Sequence, residues 1–540
     1  MIRVFCTAAV LFALTATAQT GREVRGSVTD SVSHEAIPFA KVAIRSYAGG
    51  VQQTTVLTDS SGKFAVGGVP PGTYSLQVSH VGYGMQAGMQ IVVSGAAEPP
   101  ATTIELVRGA VIYGKGTDAA GRGRPDTHVT VVKRTITAGM AVYSLAGGRA
   151  TNDLGEYRIE GLAPGTYMVC SGAQERQVEQ TRKLAYAPVC GAGSAGPESA
   201  RWFVLAPGEE LPLDFRLVPE AGGRIEGGVE GGGPNSSVTV RTLRDDGFPE
   251  VRYFPVRTAP DHVHFAIDSI PPGRYRLTAS GPVQNSRAVG DVEVGTNTVQ
   301  VRLVVRPDPV LRISIVRPAG MPQTSQVGRT VNGGSLTSST VSLDAVPVNS
   351  PLHVNPMPAG GDAWEIRSEE GGDYRILTHA SFGLDRSSPP VYVARVEQGG
   401  RELPDEIAHI DPNGDPEPVT IALAYGGGTI QVSCSCTRGQ APQFTLLRRG
   451  RLRIQEYDQQ PAPVSRAKDL PMVTDHEWEY KGAPPGDYML LAWPHGSAVE
   501  YLNPEVLTNY DGSRVNVSVF DGQTVRVNID LVRLDKSSGQ

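Results

Sequence analysis

Three short stretches of this 540-residue chain set metal-binding or proton-handling side chains at spacings that chemistry uses. His476-Glu477-Trp478-Glu479 spells H-x-x-E, which can present two ligands to zinc. His262 and His264 in "DHVHF" alternate, so on a strand both imidazoles leave from one face and could chelate a transition metal. "DPNGDPEP" places Asp411, Asn413, Asp415 and Glu417 at alternating positions, like the start of a calcium loop. Each falls short. No partner histidine, base glutamate or large α/β segment follows His476. The third stretch lacks the glycine at its sixth position and has Ala422 where a bidentate glutamate belongs. No G-x-S-x-G, phosphate-binding loop or dinucleotide fingerprint occurs. The reading is therefore of a chain with no catalytic residue, no metal site and no cofactor, in which these groups sit on solvated strand faces and turns.

Composition says what kind of element carries them. Only 19% of residues are charged, and there are 63 glycines and 41 prolines without low-complexity runs. That mixture predicts many short strands joined by tight turns. At ~150 residues per domain, the length predicts about three to five domains. Helix-period stretches are scarce, and the nearest, 173–184, is mostly polar.

The first residues predict export. Met1-Ile2-Arg3 gives a positive start, 4–16 is apolar, and Ala16-Thr17-Ala18 supplies small residues for cleavage before Gln19. Cys6 lies inside the apolar run, so no lipoprotein anchor is predicted. No later apolar run reaches ~18 residues, so no transmembrane segment is expected. The formal charge of −6, one unit lower without Arg3, argues against nucleic acid as a partner. The mature chain is expected in the periplasm, at the cell surface or secreted. There Cys170 and Cys190 should form a disulfide that restrains a polar loop, stabilising by about 3 kcal/mol. Cys434 and Cys436 stand two apart, where a direct bridge is strained, and free thiols, cross-domain pairing or an intermolecular bridge stay open.

One unit recurs five times. Its corner ends in "PPGTY" at Tyr74, "APGTY" at Tyr167, "PPGRY" at Tyr275, "EGGDY" at Tyr374 and "PPGDY" at Tyr488. The tyrosines are 93, 108, 99 and 114 residues apart, about one β-sandwich each. Ten residues before each stands an aromatic, Phe64, Tyr157, Phe265, Trp364 or Trp478, and eight before stands Val66, Ile159, Ile267, Ile366 or Tyr480. Two positions apart, they mark the buried face of a strand. Pro71 presets φ for a turn, and Gly72 is read as taking the positive φ that a type II turn needs. The tyrosine hydroxyl is expected to anchor the corner to nearby backbone.

The opening "V-x-G-x-V-x-D" of Val24, Gly26, Val28 and Asp30, with the corner at Tyr74, resembles the carboxypeptidase regulatory-like domain. The second copy, with its long insertion before the last strand, resembles domains of that family in large exported bacterial proteins. The resemblance implies seven-stranded prealbumin-like sandwiches, grouped with carbohydrate-binding-like folds. The chain is thus read as all-β: a signal peptide over 1–18, then about five tandem Ig-like or prealbumin-like β-sandwich domains at 19–106, 107–218, 219–304, 305–423 and 424–540. The short junctions predict a semi-rigid series of domains. Lys41, on the outward side of "FAKVAI", is poorly placed for an intramolecular isopeptide bond.

Trp202 and Trp493 lie outside the repeated core position. In "DYMLLAWPHG", Tyr488, Leu490 and Ala492 should face inward, leaving Met489, Leu491 and Trp493 on a face that is polar in the first copy. Such a face is either packed or an exposed platform on which sugar rings stack. Trp493, Trp202 and Tyr501 are the glycan-platform candidates, and packing against a neighbouring domain or under the "AVEYLNPEVLTNYDG" insertion is the competing reading. The expected function is that of a non-catalytic exported binding or structural protein with an envelope protein as partner. Polysaccharide binding is the alternative, and an accessory subunit of a hydrolase or carboxypeptidase system the third.

Overall fold

The computed structural model describes residues 21–46, 53–84, 89–94, 97–137, 139–171, 184–191, 200–233, 237–243, 256–257, 263–321, 340–348, 354–381, 391–403, 406–435, 442–448, 454–455, 477–494, 497–501 and 503–534. The leader at 1–18, His262, His476 and Cys436 lie outside them. The described chain is nearly all strand, with one α-helix at Pro504–Thr508 and one 3-10 turn at Asp511–Ser513. Among the described residues no helix is long and apolar enough to cross a membrane.

The first module shows the plan. Strands β1 (Arg22–Asp30), β2 (Lys41–Ser46), β3 (Gln53–Leu57), β4 (Lys63–Val69), β5 (Gly72–Ser79), β6 (Met89–Val93) and β7 (Thr102–Leu106) form two sheets, ordered β4-β1-β7 and β3-β2-β5-β6. β1 lies antiparallel to β4 but parallel to β7. Alternation sorts the side chains: on β5, Tyr74, Leu76 and Val78 are buried against Val24, Phe64 and Val66 of the opposite sheet. Between β3 and β4, Asp59 turns the chain by accepting the amides of Ser61 and Lys63 at 2.8 and 2.9 Å. Asn152 does the same for Leu154 and Glu156 in the second module, at 3.0 and 2.8 Å.

A strand flanked by an antiparallel neighbour and a parallel closing strand recurs along the chain, within a six-stranded sheet in the fourth module and a four-stranded one in the second. Gly223–Glu230 lies between His264–Ile270 and Thr298–Val304; Val310–Val316 between Ala363–Arg367 and Val419–Tyr425; Gly428–Cys434 between Glu477–Ala483 and Thr524–Ile529. In the second module Ala110–Thr117 runs beside Glu156–Leu162 and parallel to Glu210–Pro212 and Phe215–Arg216. A second sheet accompanies each. By its internal packing the chain divides into two compact units. Residues 1–114, 158–164 and 205–213 hold the core of the first module, and the remainder holds those of the third, fourth and fifth.

The corner is built from the tyrosine outward. Tyr74 donates its hydroxyl to the Pro70 carbonyl at 2.8 Å, and Tyr275 to Pro271 at 2.6 Å. Tyr488 repeats the bond to Pro484. At Gly72 itself φ is not positive, whereas its counterparts Gly165, Gly273, Gly372 and Gly486 have φ of 153°, 159°, 118° and 154°. Gly72 begins β5 and is not left-handed; the left-handed residue is Gly68, φ 73°, repeated by Gly161, Ser269 and Gly482 at 76°, 60° and 77°. This is a β-bulge before the corner, and the pairing of β1 with β4 slips between Arg22 and Val24 opposite it. A Cβ at Gly72 would stand 3.4 Å from the Tyr74 ring and one at Gly273 3.5 Å from Tyr275, both ordinary contact distances.

Two substitutions separate these roles. Tyr275→Phe deletes one buried hydrogen bond and should lower stability by about 1 kcal/mol, read as a reduced urea midpoint with an unchanged slope. Gly68→Val forces a β-branched residue into left-handed backbone and should cost at least about 1 kcal/mol. Equal stability of either variant and the parent would remove that element from the account of the corner.

Candidate functional site

The chemistry-bearing residues are spread over strand faces and turns. His264 stands on the exposed face of its strand, beside an open groove of about 780 Å³ floored by Gly227 and Gly228 and bordered by Glu226, Glu230, Gln300 and Arg302. The polar groups there bond across the strands. Arg302 reaches Glu230 at 2.6 Å, Gln300 reaches Glu226 at 2.9 Å, and Arg224 bridges Glu226 and Asp268. The Arg224 hydrogen bond, and then that of Gln300, hold the Glu226 carboxyl below its ordinary range, as Arg302 does for Glu230. Glu477 is exposed on a strand whose next residue, Trp478, packs against the core of the fifth module. Asp411 accepts the Asn413 amide at 2.8 Å, closing a turn whose Asn413 carbonyl takes the Arg306 guanidinium. Among the described residues no three His, Cys, Asp or Glu side chains are grouped to hold a metal ion. Lys41 is exposed on β2.

The residues read as a glycan platform are placed differently. Trp493 is 1% exposed and Tyr501 5%. They stack at 6.5 Å and 18°, Tyr510 meets the indole edge-on at 5.0 Å, and the indole N–H donates to Thr445 Oγ1 at 3.0 Å. Leu447, Leu491, Val499 and Val532 complete a second small core on the outward side of the sheet. The insertion 497–514 covers it, using the helix Pro504–Thr508, whose first turn is capped by Asn503 accepting the Glu505 amide at 3.0 Å. With the insertion in place, Trp493 presents no exposed face. The physical reason lies in the insertion, which brings enough apolar residues of its own to close over the face. Trp202 is half-buried and stacks on Tyr143 at 5.7 Å. Both lie against a buried patch of Val132, Met168 and the disulfide joining Cys170 to Cys190 across paired strands. Cys434 is disulfide-bonded, which removes the free-thiol reading for that residue.

Sequence reasoning missed the residues that join modules. The fourth corner, which has Glu-Gly-Gly in place of Pro-Pro-Gly, is turned toward the third module. Glu370 forms an ion pair with Arg241, the two being 8% and 5% exposed, and its carbonyl accepts from Arg276 at 3.5 Å. Glu369 binds Arg287 at 2.6 Å, and Arg287 also holds Asp308 at 2.8 Å. With proline gone, Tyr374 bonds Ser368 Oγ at 2.9 Å and the Gly371 carbonyl at 3.3 Å. The loss of both prolines in one copy was the available signal. A second polar anchor closes the first module. Buried Asp30 accepts the amides of Val32 and Ser33 at 2.8 and 2.9 Å, the Arg108 guanidinium at 2.6 Å and the Tyr83 hydroxyl at 3.0 Å. The Ser33 amide and then Arg108 hold its carboxyl far below the usual range.

Comparison with known proteins adds the following. Residues 23–107 match the carboxypeptidase regulatory-like domain. No curated protein matches the chain significantly. Among solved structures, the TIE protein of Bacillus anthracis is similar at 14% identity over 53% of this chain and 51% of its own, with a TM-score of 0.17. A streptococcal ancillary pilin is similar at 9% identity over 53% of this chain and 99% of its own, TM-score 0.18. The minor pilin of Streptococcus agalactiae is similar at 11% identity over 37% and 96%, TM-score 0.21. At such scores no shared arrangement of whole chains follows.

Removing one partner of a buried ion pair is costly, so Glu370→Ala should destabilise the third and fourth modules by about 3 kcal/mol or more. Calorimetry of the full chain would show their transition moving down while the others stay. For Asp30, whose folded pKa is depressed, the stabilisation is complete above the unfolded value near ~3.9 and is lost as pH falls below it. Asp30→Asn should therefore flatten the acid limb of first-module stability, and an unchanged limb would show that another group carries it.

Proposed function

We propose that this chain is a non-catalytic, exported structural protein, a series of β-sandwich modules that spaces or holds other envelope components. One observation carries the reading. Where the five copies diverge from their common pattern, the divergent residues make contacts within the chain. The fourth corner has Glu370 and Gly371 in place of the two prolines, and Glu370 with its neighbour Glu369 binds arginines of the third module. The fifth module's apolar outer face is sealed by its own insertion. The second module's outer face gathers Trp202, Tyr143 and a disulfide. A chain selected for turnover would be expected to direct such departures toward a substrate; here they stiffen or join modules. The match of residues 23–107 to a regulatory-like domain supports the same reading. The apolar stretch at 4–16 and the small residues before Gln19 support export.

The test has two arms. Fractionation of cells making a C-terminally tagged chain should place it outside the cytoplasm, cleaved near Ala18, and crosslinking there should recover a protein partner. A chain found uncleaved in the cytoplasm would overturn the exported role. Retention on a broad polysaccharide panel, without a protein crosslink, would replace the scaffold by the polysaccharide-binding alternative. Turnover of a peptide or glycan by the purified chain would overturn the non-catalytic reading altogether.

A further inference from the structure

The second and fifth modules are not neighbours in sequence, yet they touch. Arg134, on the strand His128–Thr137, binds Glu500 at 2.6 Å, with side chains 28% and 12% exposed. At the turn of the same hairpin, Gly139 has φ 68° and lies against the ring of Tyr501, so close that a Cβ would stand 2.3 Å from a ring carbon. Tyr501 has no room to retreat, because it is buried and stacked on Trp493. The hairpin reaches this far because its strands run ten and eleven residues, against six and five for β2 and β3 of the first module.

We infer that the hairpin 128–150 is an intramolecular latch. It seats on the insertion 497–514 of the fifth module and holds that insertion closed over Trp493. Two features of different kind support it: an ion pair largely withdrawn from water on both sides, and a turn residue whose missing side chain is what the contact needs. A pair so placed is screened less by salt than an exposed one. Because the hairpin and the insertion stabilise one another, loosening either must loosen the other by the same factor. Released, the insertion would uncover the stacked Trp493 and Tyr501, which the closed latch keeps from any partner. The inference concerns contacts within the chain and stands apart from where the protein resides or what it binds.

Hydrogen exchange on the full-length protein tests it. Arg134→Glu, Glu500→Arg and Gly139→Leu should each raise amide exchange by roughly threefold to tenfold in both the hairpin and the insertion, leaving the first module unchanged. The double swap, Arg134→Glu with Glu500→Arg, should restore protection in both segments together. Arg134→Gln keeps the apolar stem and should show the same paired pattern more weakly, which covers the case of a reversal that disturbs folding. Exchange rising only in the segment that carries the substitution would overturn the latch. So would a double swap no better protected than either single variant.

Discussion

A phenol hydroxyl taken out of water must find an acceptor, and that requirement organises the corners of the first, third, fourth and fifth modules. At the corner the acceptor is the carbonyl four residues back, which the chain can present only by turning sharply between two strands. The turn fixes a proline pair and a glycine beneath the tyrosine ring. Ahead of it a left-handed residue forms the bulge that lets the preceding strand stay paired with the first one. The fourth module meets the same requirement by another route. The Gly371 carbonyl accepts from Tyr374, whose hydroxyl also shares a hydrogen bond with Ser368 Oγ, and the released position 370 becomes the acidic contact with the third module.

Much of this fold is legible in the sequence because burial repeats at a period of two. The positions of Phe64, Val66, Tyr74 and Leu76 recur in kind at each copy, and in the first module the structure buries them together. The misread glycine shows the limit. A type II turn and a β-bulge both call for a residue with positive φ, and "GGVPPG" offers glycine at both places; only the backbone distinguishes Gly68 from Gly72. The outward face of the fifth module is legible as apolar and the insertion as one candidate cover, but the choice between a packed face and an exposed platform is not. The segment that closes over Trp493 has no counterpart in the other copies, so no repeat announces it. Arg241 is an ordinary charged residue until Glu370 is placed against it, and in the sequence only the loss of the prolines marks that corner.

Charge in this protein is spent largely on itself. Asp30 is saturated by two amides, a guanidinium and a phenol; Arg287 spans Asp308 and Glu369; the carboxylates along the groove of the third module are held by Arg224, Gln300 and Arg302. Groups so engaged are poorly available for proton transfer or metal binding, since either would first have to break the existing pair. Of the described members of the three stretches, His264 and Glu477 stand on strand faces and Asp411 in a turn.

The parallel pairing of opening and closing strands has a mechanical consequence. In each module the chain enters along one strand and leaves along its parallel neighbour, so the two ends emerge at opposite poles. A pull on the termini therefore loads the hydrogen bonds between those strands in shear, all at once, where an antiparallel pair pulled from one end would unzip a bond at a time. A module wired in this way resists extension through the geometry of its ladder as well as through the size of its core.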